Sequence, residues 1–512
     1  MRNIFTFFVG IALLVGTGIP ALIASQGLIG QEQQQAVVAI LPLQELESVK
    51  TIAQIITALH EEQASQVWPG YDLTTSPLII TFDNGHLYAF NLKSTSHAWQ
   101  KLTVEKMNVL YTDKDQWDLS DVPMNPQFEI EGQTAFVFRL DVMQLDPYLP
   151  FLVLVHERFH QYQFTHFRDK HSDPDGYLDH LNPENLALMQ IEELLLANFL
   201  KSYGNSTEDP QPKLDKLECL KNFVAVHTAR GALMHSSSIQ WEQNQQRMEG
   251  MADYVSMKTF DVFHLLPGFD SQTNLLTTIQ GYADNDNVSD RVIKWRHYGV
   301  GAALGYALDF IHVNNWKEQV EVHGRPLDDL LSQSIVLSDE ELAVRVKQVK
   351  KVYGYDRLLV SVQKHLTAYQ NEIADHVKQF QLLEGVTVTL DSPLGVPLSG
   401  GGYDQHLYYM ADGSMLSIEN TSTNITRDNL WKICFEKTPF IFQGSAGERE
   451  FKVESGLQII MDGQSYSMTD LVKTKNKKKF TSISWKGERS EFSCVQHKGV
   501  LESYQGKIFI RF

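Results

Sequence analysis

Hydrophobic positions in this chain repeat with two different periods, and the change from one to the other falls near Leu383. From Leu43 to Gln66, apolar Leu46, Val49, Ile52, Ile56 and Leu59 recur at steps of three and four, which predicts an amphipathic helix. Pro77 to Leu92 reads instead as two strands around Asn84-Gly85, a pair that accepts the backbone angles of a tight hairpin turn. Gln133 to Val142 is a further β-like run. Helical spacing returns at Phe151 to Phe167, Leu186 to Leu200, Leu214 to Met234, Ser238 to Phe263 and Val300 to Ile311. Leu327 to Gln381 is mostly charged amphipathic helix. Gly301 and Gly305, four apart, predict a core helix packed at close range. Beyond about Leu383, short alternating runs separated by Gly-, Asp- and Ser-rich clusters predict an all-β module. The pattern describes an α+β protein: a mainly helical domain with a small N-terminal sheet over residues 26–382, then a β-rich domain over 383–512.

Candidate chemistry concentrates in the Phe151 to Phe167 segment, FLVLVHERFHQYQFTHF, which contains His156-Glu157-Arg158-Phe159-His160. On a helix of 3.6 residues per turn, His156 and His160 share one face. Two neutral imidazoles so placed can bind one Zn²⁺, with Glu157 positioned to activate a water. Pro150 suits a first helical position, where its missing N–H costs nothing. A catalytic zinc needs a third protein ligand and an open fourth position. Glu249 is the leading candidate, because Asp253 follows it by one turn and can accept the free ring N–H of His156. Gly250 and Ala252 are small enough for another helix to approach. Glu192 or Glu193 is nearer in sequence, but neither has an acidic residue one turn later. His166 has the spacing of an extended HExxHxxGxxH pattern, yet Gln163 stands where the turn-forming Gly is required. Ten residues of straight helix would separate the side chains by about 15 Å.

With these residues, the chain resembles the gluzincin metallopeptidases, in which HExxH is followed by a helix bearing a zinc-binding Glu, often as EGxAxY or ExxxD; both forms overlay Glu249 to Tyr254. The resemblance implies a zincin-like domain acting on a peptide or protein substrate, with zinc held by His156, His160 and Glu249. It makes Glu157 the general base and Asp253 the residue that orients His156. It also implies an oxyanion donor from a later helix, Tyr298 first and His297 next. A strand beside the metal helix pairs with extended substrate in such enzymes, so Gln133 to Val142 is either a candidate edge or an ordinary interior strand. The interval from His160 to Glu249 is longer than usual, so a helical region of about Pro183 to Ser236 has to loop out.

Composition narrows the setting. A net charge of −18 argues against a nucleic-acid partner. Residues 1–25 place Arg2 before a long apolar run closed by Ala21, Ala24 and Ser25, the pattern of a secretory signal cleaved near Ala24 or Ser25. The alternative is an uncleaved membrane anchor. The expected location is therefore secreted or periplasmic, with membrane contact only through that segment. In an oxidising compartment Cys434 and Cys494 are candidates for a disulfide. None of the three cysteines has metal-binding spacing. The lysines of Lys473 to Lys479 are expected at a solvated hairpin tip, and His86, His180, His227 and His235 are read as ordinary polar residues. A rival to the enzyme is a non-catalytic exported binding protein, whose β-rich module does the work beside a degenerate zincin domain.

Overall fold

The computed structural model is an α+β protein, described over residues 42–511 except for several stretches, the longest being 141–146, 169–176, 204–214, 285–292 and 391–406. The expected signal segment lies outside the described residues. Among those described, no helix is long and apolar enough to cross a membrane.

Helix α1 (Leu43–Ala58) leads into six strands: β1 (Leu78–Thr81), β2 (Leu87–Phe90), β3 (Gln100–Val104), β4 (Met107–Thr112), β5 (Met124–Ile130) and β6 (Gln133–Arg139). They form one sheet in the order β3-β4-β2-β1-β6-β5, with β1 and β6 parallel and the other pairs antiparallel. Both faces of the sheet are covered. Ile80, Tyr88, Phe90, Phe136 and Phe138 join the main core, and Ile79, Leu87, Ala89 and Val137 join a second core behind it. That two-sided burial explains why β1 reads as a continuous apolar run. The Asn84-Gly85 pair lies in the β1–β2 turn, where Gly85 takes φ +83°. Strand β6, the candidate edge, is interior, flanked by β1 and β5; the open edge next to it belongs to β5. Sequence order hides this, because β5 folds back outside β6.

The helices follow: α2 (Leu149–His166), α3 (Pro183–Tyr203), α4 (Lys216–Gly231), α5 (Ser236–Gln245), α6 (Met251–Phe263), α7 (Ser271–Asp284), α8 (Arg296–Phe310), α9 (Leu327–Ser334), α10 (Asp339–Val352) and α11 (Tyr355–Leu382). Helices α3 and α4 pack on one another and occupy the long interval between α2 and Glu249. Helix α11 spans two surroundings. Its Val362 and Leu366 pack with Tyr177, Leu186 and Met189, and its Tyr369 packs with Tyr408 and Leu416 of the C-terminal region.

That region forms a six-stranded and an eight-stranded sheet around Val388, Phe451, Trp485, Phe492, Leu501 and Ile508. Lys473 ends a short helix, and Lys477, Lys478 and Lys479 sit on an edge strand, Asn476–Phe480, rather than at a hairpin tip. Lysines on an edge discourage pairing with another chain. The expected disulfide does not fit this register. Cys494 lies opposite Trp431, while Cys434 lies opposite Glu491. Three ladder positions amount to about 10 Å, beyond the ~7 Å Cα separation a disulfide spans. Cys494 and Cys219 are free, buried thiols.

Candidate metal centre

Helix α2 begins at Leu149 with Pro150 in its first turn and buries Val153, Leu154, Val155 and Phe159. Burying those positions turns His156 and His160 inward towards α6, and both are almost inaccessible, at 1% and 6% exposure. The third residue arrives from an irregularity. Between α5 and α6 the helix widens into a π-turn, Gln246–Gly250, and Glu249 lies in it. Such insertions are rare and concentrate at functional sites. Glycine lets α8 cross this turn closely: a Cβ on Gly250 would lie 2.5 Å from Gly301 Cα, and one on Gly301 would lie 2.6 Å from Gln246 O.

Three ligand atoms converge. Nε2 of His160 lies 2.9 Å from Nε2 of His156 and 3.1 Å from Glu249 Oε2, and His156 Nε2 lies 3.4 Å from the same oxygen. His156, His160 and Glu249 thus form a group able to hold a metal ion, and among the described residues no other such cluster occurs. The outer ring nitrogens are engaged elsewhere. His156 Nδ1 is 2.7 Å from Asp253 Oδ1, and His160 Nδ1 is 2.7 Å from Gln163 Oε1. Both outer partners are acceptors, so in the neutral rings each Nδ1 carries the hydrogen and each Nε2 presents a lone pair inward. Two lone pairs and a carboxylate oxygen packed this closely repel unless positive charge lies between them.

The protonation tendencies point the same way. Burial opposes the charge on each group. On Glu249 the pull of His160 and His156 exceeds burial and holds the carboxyl well below the usual range. On His156, Asp253 and Glu249 outweigh burial and lift the ring to about 10, and Glu249 likewise raises His160. The pocket attracts either protons or a cation.

Glu157 is 5% exposed, and its Oε1 has no hydrogen-bond partner among the described residues. Burial raises its pKa above the ordinary carboxylate value, with the two histidines opposing and Glu249 assisting. Tyr298 opens α8 with its ring parallel to that of His156, centroids 5.7 Å apart. Burial, followed by the Glu249 carboxylate, raises the phenol's pKa well above normal. His297 faces another way: its ring lies 6.5 Å from Tyr177, near Glu242.

The alternative third ligands sit elsewhere. Glu192 and Glu193 are fully buried in a charged cluster, where Arg230 Nε meets Glu192 Oε1 at 2.7 Å and Arg296 Nε meets Glu193 Oε1 at 3.0 Å. His227, read as an ordinary polar residue, belongs to this cluster as well, between Glu192 at 3.0 Å and Asp328 at 2.9 Å. His166 stacks on Tyr162 at 4.0 Å on the exposed end of α2, as a straight helix requires. Gln163 had no assigned role in the sequence except as the wrong residue for a glycine turn. Its place three residues after His160, on the same helix face, was the available signal.

Comparison of the chain with protein-family models, curated proteins and solved structures finds no significant match. The functional reading therefore rests on this geometry.

Proposed function

We propose that the protein is an exported zinc-dependent peptidase. The observation that carries this reading is the meeting of two inward imidazole nitrogens with the Glu249 carboxylate, beside a buried Glu157 oxygen that has no partner among the described residues. Two nitrogens and one oxygen are a donor set that suits zinc with a position left open. Atoms bound at 2.0–2.1 Å around a tetrahedral centre lie about 3.3 Å apart, close to the 2.9–3.4 Å spacings here. When bound, zinc supplies a Lewis acid that polarises the scissile carbonyl and makes a water easier to deprotonate.

The remaining work belongs to the chain. Glu157, buried next to His156 on the same helix with an oxygen that has no partner among the described residues, is suited to take a proton from the attacking water and deliver it to the leaving amine. Tyr298 keeps its phenolic proton at neutral pH and so can donate to the developing oxyanion. Asp253 holds His156 in the tautomer that faces inward. For an extended substrate, the available partner is the open edge of β5. That strand is tied to the metal helix where Gln161 Nε2 donates to Pro126 O at 2.5 Å. The test is peptide-library cleavage by the purified wild type, with and without chelator. Chelator-sensitive cleavage that zinc restores supports the reading; no cleavage by zinc-loaded protein sinks it in favour of a binding role.

A further inference from the structure

We propose that Gln163 is a positioning residue that sets two of the three ligands at once, fixing the tautomer of His160 and holding the π-turn that presents Glu249. This rests on the metal-site reading above and extends it to a side chain outside the ligand set. Gln163 is fully buried. Its Nε2 donates to Met248 O at 2.8 Å and to Arg247 O at 3.3 Å, two carbonyls of the π-turn that carries Glu249. Carbonyl oxygens only accept, so the amide can present only its NH₂ end to them. The orientation of the amide is thereby fixed, and Oε1 must face the other way, where it lies 2.7 Å from His160 Nδ1. An oxygen at that distance requires Nδ1–H, which leaves Nε2 bare and turned towards Glu249 at 3.1 Å.

One amide thus links a ligand on α2 to the backbone beside a ligand on the π-turn. Asp253 does only the first of these jobs, for His156. A glycine at position 163 would leave His160 Nδ1 without this acceptor and both carbonyls without this donor. A buried glutamine that merely filled space would not need one end of its amide matched to His160 and the other to the backbone that carries Glu249.

The test uses full-length Gln163→Met, which keeps volume and flexibility but removes both polar ends, and Gln163→Glu, which keeps the acceptor for His160 but loses the NH₂. Two quantities are measured: zinc affinity by competition with a chromophoric chelator, and the imidazole ¹⁵N shifts of His160 in metal-free protein, followed as pH is raised until the ring is neutral, because Glu249 lifts its pKa. Loss of an outer partner of a ligating histidine weakens metal binding by about 10–100-fold, and Gln163→Met is expected to fall in that range with His160 in mixed tautomers. Gln163→Glu is expected to keep the Nδ1–H signature and to bind zinc more tightly than Gln163→Met. Zinc affinity within about twofold of wild type in Gln163→Met, with His160 shifts unchanged, overturns the proposal. So does a His160 in Gln163→Glu that has switched to Nε2–H, a result readable even if Gln163→Met does not fold. Wild type that binds no zinc would fail the metal reading itself, while the metal-free shifts still report on Gln163.

Discussion

Asp253 Oδ1 lies 2.7 Å from Nδ1 of His156, one helical turn beyond Glu249. The carboxylate is not one of the three groups that converge, and it acts through the imidazole, where an acceptor fixes the tautomer and raises basicity. Asp253→Ala is therefore expected to weaken zinc binding by about 10–100-fold with little change in fold. Chelator competition and circular dichroism together check this. Unchanged affinity would show that His156 is held without it.

Glu157 contributes no ligand atom, so Glu157→Gln should keep the metal and lose the reaction. Removing a general base typically costs about 10²–10⁴-fold in rate, measured as kcat on any peptide the wild type cleaves. Retained turnover in a zinc-loaded Glu157→Gln would move the base to another residue.

Stability should vary with pH on both sides of neutrality through the buried charged cluster. Burial raises Glu192, but Arg230 and His227 outweigh it and hold its pKa at about 2; Glu242 and Asp328 are depressed in the same way. Depressed carboxylates stabilise the fold above their unfolded values near ~4, and that contribution is lost as pH falls towards 2. His227 has the opposite sign. Glu192 and Asp328 outweigh burial and lift it to about 10. Its contribution is complete below its unfolded value of ~6.5 and is lost as pH rises towards 10. Melting temperature should fall at both ends; His227→Gln should reduce the alkaline limb and, because His227 also helps depress Glu192 and Asp328, make the acid limb shallower as well.

Close approach of α8 to the π-turn makes Gly301 sensitive. A Cβ there meets backbone on both sides, Gln246 O at 2.6 Å and Gly250 Cα at 2.7 Å, and no rotamer change relieves it. Gly301→Ala should cost roughly 1–3 kcal/mol and weaken zinc binding, because the same crossing sets Tyr298 against His156. Denaturant unfolding measures the first effect and chelator competition the second.

Thiol content tests the C-terminal register. Cys219 and Cys494 are free, and Cys434 lies three ladder positions from the residue facing Cys494. Unreduced, denatured protein should give about three reactive thiols per chain, the number a fully reduced chain presents. A count near one would mean that the two C-terminal cysteines pair and that the strands run in another register.

Much of this was legible in the sequence because it is local. The 3.6-residue period located α2, α3, α4, α6 and α8, and four-residue spacing put His156 over His160 and Asp253 one turn past Glu249. Small Gly250 and Gly301 announced a close crossing. What remained hidden depends on partners distant in sequence. Nothing in Gln246–Gly250 signals a π-turn, which forms where α8 and Gln163 meet that backbone. The interior position of β6 follows from β5 folding outside it. Glu192 and Glu193 were open to reading as a third ligand because nothing nearby in sequence shows Arg230 and Arg296, from two other helices, engaging them.

Zinc stoichiometry after dialysis against trace metal tests the central claim most directly, with wild type and Glu249→Ala compared by elemental analysis. About one equivalent per wild-type chain, as a single site of three protein ligands requires, and a loss of most of it in Glu249→Ala is the expected result. A folded wild type without zinc, or a Glu249→Ala that retains a full equivalent, would contradict it.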